Sequence, residues 1–319
     1  MVDLPVSGAR SYVEYRKEAT YGTDPAGTSY AFGHDIQIEI SRKNNLIEVQ
    51  GLNDRNVKAL IAGGYEGMIT INGILGNARW LSMFWGTAAT ASSGPYIHIY
   101  TESNTIPSVT IENGVDLGTT DSVCKFVGCV LDSFNLKCAV GEPIRFVAKF
   151  MYKNETEGTS LDGSPATDSE TPFTFAQATV DMPGGTTLTN VQNLEFTGGN
   201  SLIKVPTLGS RFLSAAVGGK REYKATLEKT FEVSTILEQF YGGATGPAAT
   251  VAESSMNITI TNGLLTSNLR SLIIQMAGVV PEEFSNNQRP NELIVENVPL
   301  IARYGTGIAR DNTSSTPFD

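Results

Sequence analysis

The 319-residue sequence predicts a mainly β protein: two tandem β-sandwich or barrel domains, each flanked by one short α-helix, with extended arms. Three observations carry that expectation. Residues 38–55 recur as residues 194–211, and the offset of 156 continues without a gap to Gly86 and Gly242. Over those 49 positions 14 residues are identical, among them Glu39/Glu195, Asn44/Asn200, Leu52/Leu208, Glu66/Glu222 and Phe84/Phe240, where ordinary residue frequencies would give about three. The remaining two are strand-like alternation of apolar and polar residues, and a composition of 32 glycines with 18% charged residues that favours short strands and turns.

Taken in order, residues 1–34 read as an N-terminal arm, turn-rich around Gly22, Pro25 and Gly27 and without a helical period. The first domain covers 35–154. Ile36, Ile38 and Ile40 alternate with Gln37, Glu39 and Ser41, and Ile69 and Ile71 point inward between Glu66, Thr70 and Asn72. The second copy repeats the pattern, with Tyr223, Ala225 and Leu227 inward and Glu222, Thr226 and Glu228 outward.

A short helix follows in each copy, near 78–86 and 234–241. Trp80, Leu81, Phe84 and Trp85 form one apolar face and Ile236, Leu237, Phe240 and Tyr241 the other. Asn77 and Ser234 suit the N-terminal caps, and Gly86 and Gly242 suit left-handed C-terminal caps. An aromatic face occurring twice reads as a core plug over a sheet. Strands then return, with a hairpin turning at Ala139–Glu142.

Residues 155–190 carry six acids and no base, and form an acidic linker or loop. The second domain covers 191–305, and 306–319 read as a C-terminal arm without a packed pattern. Both arms are expected to become ordered only against neighbouring subunits, and residues 155–171 to lie outside the core as a loop.

The net charge of −10 includes no basic stripe, so tight nucleic-acid binding through phosphate is not expected. No secretory signal is visible at the start, and the longest apolar run, Leu272–Val280, is far too short to span a membrane. Cys124, Cys129 and Cys138 lack paired zinc spacing and read as reduced thiols. His34 and His98 stand in unrelated contexts and read as surface or half-buried residues. GGYEG and GGATG lack the lysine of a phosphate loop, and Glu282–Glu283 reads as solvated. No catalytic, metal or cofactor site is expected.

The opening YRKEATYGTDPAG resembles the N-terminal segment of tail tube proteins from tailed viruses of bacteria and archaea. The order of strand pair, loop, strand, short helix ending in Phe-Trp-Gly, and hairpin FVGCVLDSFNLKCAVGEPIRFVAKF is similar to the tail-tube plan. The resemblance covers 11–154 and, through the repeat, 191–305. It implies two tandem tail-tube-like β domains, a structural protein of the virion tail made in the host cytoplasm, and stacked six-fold rings around a DNA channel. With two domains per chain, it implies homotrimeric pseudo-hexameric rings. Partners would be further copies of the chain, a tape-measure protein inside, and terminator and tip proteins at the ends; DNA would pass without specific binding. Other viral or cell-surface β proteins, such as tail-tip, capsid or adhesin modules, remain as the alternative.

Among acids of the aligned span, Glu39/Glu195 and Glu66/Glu222 recur in both copies, on the polar side of alternating strands. That side is the outer surface, a subunit interface or the lumen. Glu39, Glu66, Glu195 and Glu222 are therefore the lumen-lining candidates.

Overall fold

The computed structural model describes residues 8–312, apart from 26, 92–94, 119, 184 and 263–269. Its first half begins with β1 (Ser11–Lys17), β2 (Tyr30–Ala31), β3 (His34–Lys43), the hairpin β4 (Ile47–Gln50) and β5 (Val57–Ile61), and β6 (Glu66–Ile74). A 3-10 turn (Arg79–Leu81) and helix α1 (Ser82–Trp85) follow. Then come β7 (Gly86–Ala91), β8 (Tyr96–Glu102), β9 (Val109–Val115), the long β10 (Ser122–Ala139), β11 (Arg145–Tyr152) and β12 (Asn154–Gly158). The second half contains β13 (Ala178–Asp181), β14 (Val191–Gly199), the hairpin β15 (Ile203–Val205) and β16 (Ala215–Val217), and β17 (Glu222–Thr230). Helix α2 (Thr235–Tyr241) precedes β18 (Ser254–Thr261), β19 (Ser271–Pro281), β20 (Ser285–Asn287), β21 (Val295–Ala302) and β22 (Tyr304–Asp311). The class is mainly β, as expected.

The strand pairing repeats. In the first half the antiparallel orders are β1–β9–β10–β12 and β3–β6–β11–β10. The second half has β13–β18–β19–β22 and β14–β17–β21, with β19 and β20 along β21. β10 serves two sheets because it bends at bulges near Phe126/Cys129 and Leu131/Ser133. Gly128 (φ 67°) sits at this bend, and Gly278 (φ 65°) holds the same place in β19. At either position a side chain would collide with the residue opposite, Lys153 or Arg303.

The halves are joined edge to edge. β10 pairs with β14 from Ser133↔Gly199 to Ala139↔Asn193. One sheet therefore runs β3–β6–β11–β10–β14–β17–β21–β20. Among the described residues, the outer edges of β3 and β20 pair with no strand, so this sheet is open and not a closed barrel.

The helices fall where expected. Trp80, Leu81, Met83, Phe84 and Trp85 are completely buried, each large side chain contributing roughly 1.5–3 kcal/mol. Asn77 Oδ1 accepts from the Arg79 N–H at 3.2 Å. Gly86 (φ 91°) and Gly242 (φ 68°) close the two helices in the left-handed region. The second plug is shallower: Ile236 and Gln239 are buried, while Phe240 and Tyr241 are half-buried. Ser234 is not the backbone cap expected of it; its hydroxyl donates to the Glu238 carboxylate. The two halves meet in one apolar cluster, with Phe134 5.6 Å from Phe196 and Phe84 5.6 Å from Tyr223.

Both arms need correction. β1 pairs with seven residues of β9, and Tyr15 and Phe32 are buried, so much of 1–34 is ordered within the chain itself. Its apolar alternation is hidden because Glu14 is also buried, held by Arg16 and Ser29. β22 lies between β19 and β8, so 306–311 do not wait for a neighbour. Its inward positions include Gly305 and Gly307, where the rings of Tyr223, Trp85 and Tyr100 fill the space. Such a strand shows no apolar period. Residues 313–319 of the expected arm lie outside the described residues.

The acidic stretch is likewise more than a loop. Residues 154–158 form β12, Glu155 binds Arg42, Asp162 meets Arg16 at 3.2 Å, and Asp168 accepts from Asn77 at 2.7 Å. Phe173 is buried beyond it. The acids are tied to bases and amides that sequence order does not bring near.

Candidate assembly and channel surface

The eight-stranded sheet has one face on the core and one that, among the described residues, no strand or helix covers. Phe146, Leu136, Phe196, Ala225 and Leu300 pair across it as a row of inward side chains. Strand alternation turns the neighbouring residues to the other face. The register takes Glu39 to Thr70, Lys149, Ser133, Gly199 and Glu222, so these six share that outward face. Glu66 and Glu195 share it by parity with Thr70 and Gly199. All four candidate glutamates thus stand on a single surface, although β3 and β17 are five strands apart.

Their surroundings differ. Glu66 is bonded to Lys204, which holds its carboxyl below the usual range. Glu222 is likewise lowered, by Lys220 at 3.1 Å and Lys224 at 3.4 Å. Glu195 accepts from the Asn135 amide at 2.6 Å across the β10–β14 junction. Among the described residues, neither Glu39 nor Glu195 forms an ion pair.

Sequence reasoning missed the cations of this face. Lys43 pairs with Glu66, Lys137 with Glu195 and Arg145, and Lys224 with Thr197. With Lys149, five cations stand beside five carboxylates, Glu228 included. The signal was present in β11, where buried Phe146, Ala148 and Phe150 alternate with Arg145 and Lys149. The glutamates were found through the repeat, and these bases do not repeat.

A second surface lies on the hairpins β4–β5 and β15–β16. Leu46, Ile47, Leu60, Ile61, Ile203 and Val217 are exposed large apolar side chains there. At the tips, the repeat partners Leu52 and Leu208 are 97% and 100% exposed. Isolated apolar residues on a surface are ordinary, but clusters of this kind mark interaction sites.

Among the described residues, no group of His, Cys, Asp and Glu is arranged to hold a metal. His98, expected near the surface, is fully buried, between Thr90 Oγ1 at 2.9 Å and Asp311 Oδ1 at 3.0 Å. It links β8 to β22. His34 Nε2 lies 2.7 Å from the Glu170 carbonyl. Cys124, Cys129 and Cys138 are free thiols, and burial raises the pKa of each. No helix among the described residues is long and apolar enough to cross a membrane.

No curated protein matches the chain. The family described as phage tail tube protein matches residues 8–302. An open β-sheet with one uncovered face and two exposed apolar hairpins accords with that match: the chain belongs to the phage tail tube protein family, a family of structural virion tail proteins.

Proposed function

We propose that this chain is the repeating subunit of a tail tube, and that three copies close a ring of six similar domains. The observation that carries this reading is the doubled strand plan, already joined edge to edge between β10 and β14. One such joint per chain makes two domains; repeating it between chains extends the same sheet. We infer that the halves, 35–154 and 191–305, arose by duplication, because offsets of 156 and 150 positions preserve strand pairing and the offset of 156 preserves sequence as well.

In this reading the uncovered face of the eight-stranded sheet lines the channel, and Glu39, Glu66, Glu195 and Glu222 point into it. The mixed charge suits a conduit. Cations alone would hold the phosphate backbone, and the carboxylates between them weaken that hold within a screening length of roughly 10 Å. The exposed hairpins, and not the chain ends, supply apolar surface for stacking one ring on the next. A tape-measure protein would occupy the lumen during assembly, with terminator and tip proteins at the ends.

Imaging of the purified chain by electron cryomicroscopy tests the proposal. Tubes of stacked rings with three chains each are expected. Six chains per ring, or a chain that stays monomeric under all assembly conditions, would overturn it.

A further inference from the structure

The joint inside the chain is a template for the joint between chains. Resting on the ring reading above, we propose that the free edge of β3 pairs antiparallel with β20 of a second copy, in the register of the β14–β10 junction.

The template is residue-specific. β20 pairs with β21 as Ser285↔Asn297, Asn286↔Glu296 and Asn287↔Val295. Distal β10 pairs with β11 as Asn135↔Val147, Leu136↔Phe146 and Lys137↔Arg145, which is the same register 150 positions earlier. β20 therefore occupies the place of the β10 segment that receives β14. The counterpart of β14, 156 positions earlier, is β3. β3 and β20 are the two edges of this sheet that have no strand partner among the described residues. They lie at opposite ends of the sheet, about 34 Å apart along it at ~4.8 Å per strand.

Carrying the β10–β14 pairs across by these offsets sets Ser285 opposite Ser41, Asn286 opposite Ile40, and Asn287 opposite Glu39. It also sets Glu283 opposite Lys43, an opposite-charge pair that supports this register. Phe284 takes the position of Phe134, whose ring packs 5.6 Å from Phe196. The residue offered to Phe284 is Ile40. Both are half-buried in the single chain, with apolar surface left to cover.

Asn44 and Asn200, identical in the repeat, provide an independent observation. Asn200 is 1% exposed, and its side-chain amide donates to the Leu131 carbonyl at 3.0 Å across the internal joint. Its backbone N–H donates to the Asp132 carbonyl at 2.7 Å. Asn44 is exposed, yet the next residues turn alike, with Asn45 at φ 41° and Ser201 at φ 44°. In the proposed joint Asn44 clamps the neighbouring chain at Pro281 and Glu282, the counterparts of Leu131 and Asp132.

The test is a cysteine pair in the full chain, Ser41→Cys with Ser285→Cys, oxidised after assembly. Covalent trimers on a non-reducing gel are expected, absent from either single variant. The slipped pairs Ser41→Cys with Glu283→Cys, and Ser41→Cys with Asn287→Cys, should link at least tenfold more slowly. Asn44→Ala, which within the chain removes an exposed bond from Arg211 to its Oδ1 at 2.7 Å, should weaken ring formation while lowering the melting temperature of the unassembled chain far less than Asn200→Ala does. Rings that form while the matched pair stays unlinked, or that link faster through a slipped pair, would overturn this joint alone. A parent chain that makes no rings would overturn the tube reading together with it.

Discussion

Replacing Gly307 with alanine tests whether the C-terminal strand belongs to the chain's own core. A Cβ at 307 would stand 2.9 Å from Cη2 and Cζ3 of Trp85 and 2.9 Å from Cδ2 of Tyr100. Both rings are completely buried. Overpacking of this kind costs about 1–3 kcal/mol. Trp85→Ala removes the indole and its N–H bond to the Gly305 carbonyl at 2.9 Å, for about 3–5 kcal/mol. In the double variant the new methyl enters space that the indole has vacated. The combined loss should therefore fall short of the sum by ~1–2 kcal/mol. Urea unfolding of the four unassembled chains measures the cycle. Additivity within about 0.5 kcal/mol, or an unchanged midpoint for Gly307→Ala, would show that β22 does not pack on α1 as described.

Three further outcomes follow from the surfaces. Leu52→Asp with Leu208→Asp should leave chain stability within about 0.5 kcal/mol but stop rings from stacking; normal tube lengths by electron microscopy would refute the hairpin assignment. Glu39→Gln with Glu195→Gln leaves three of the named carboxylates beside five cations, so genome ejection should slow, most at low salt, while assembly is retained; unchanged ejection kinetics would remove these residues from the lumen. Glu66 and Glu222 have carboxyls depressed from 4.5 by lysine partners. A depressed carboxylate stabilises above its unfolded pKa and loses that contribution as pH falls through the folded value. Both are solvent-accessible, so the loss is small: melting temperature should decline modestly from pH 5 to 3, and less so in Glu66→Gln with Glu222→Gln.

Much of this architecture was legible in the residues. The ungapped repeat located β6 and β17 in register, and the glycines at 86 and 242 ended both helices. Wherever period-2 alternation used large apolar residues, as at Ile69, Ile71, Tyr223 and Leu227, the inward face was readable. The terminal strands were not readable, for two different reasons. In β1 the buried position 14 is a glutamate, whose burial is met by an arginine two residues on and a serine fifteen residues on. In β22 the inward positions are glycines, because aromatic rings from distant segments occupy their side-chain space. The second offset, 150, was missed as well. β11 and β21 share strand register but little residue identity, and a sheet fixes alternation more tightly than it fixes side chains. The four glutamates were picked out by the repeat, while their cationic neighbours came from strands that pair only in three dimensions.

The pairing of β22 with β8 orders events in time. Gly307 stands opposite Tyr100, more than 200 positions earlier in the chain. At roughly 5–20 residues per second, a ribosome delivers the partner of β8 some 10–40 s after β8 itself. Until then the first half carries an open edge beside half-exposed isoleucines at 97 and 99, a template for mispairing with other nascent chains. Closing that edge requires a long loop, which makes it a slow step. β22 thus closes the edge of β8 late, so fragments truncated before residue 304 should be recovered as aggregates and not as short-chain rings.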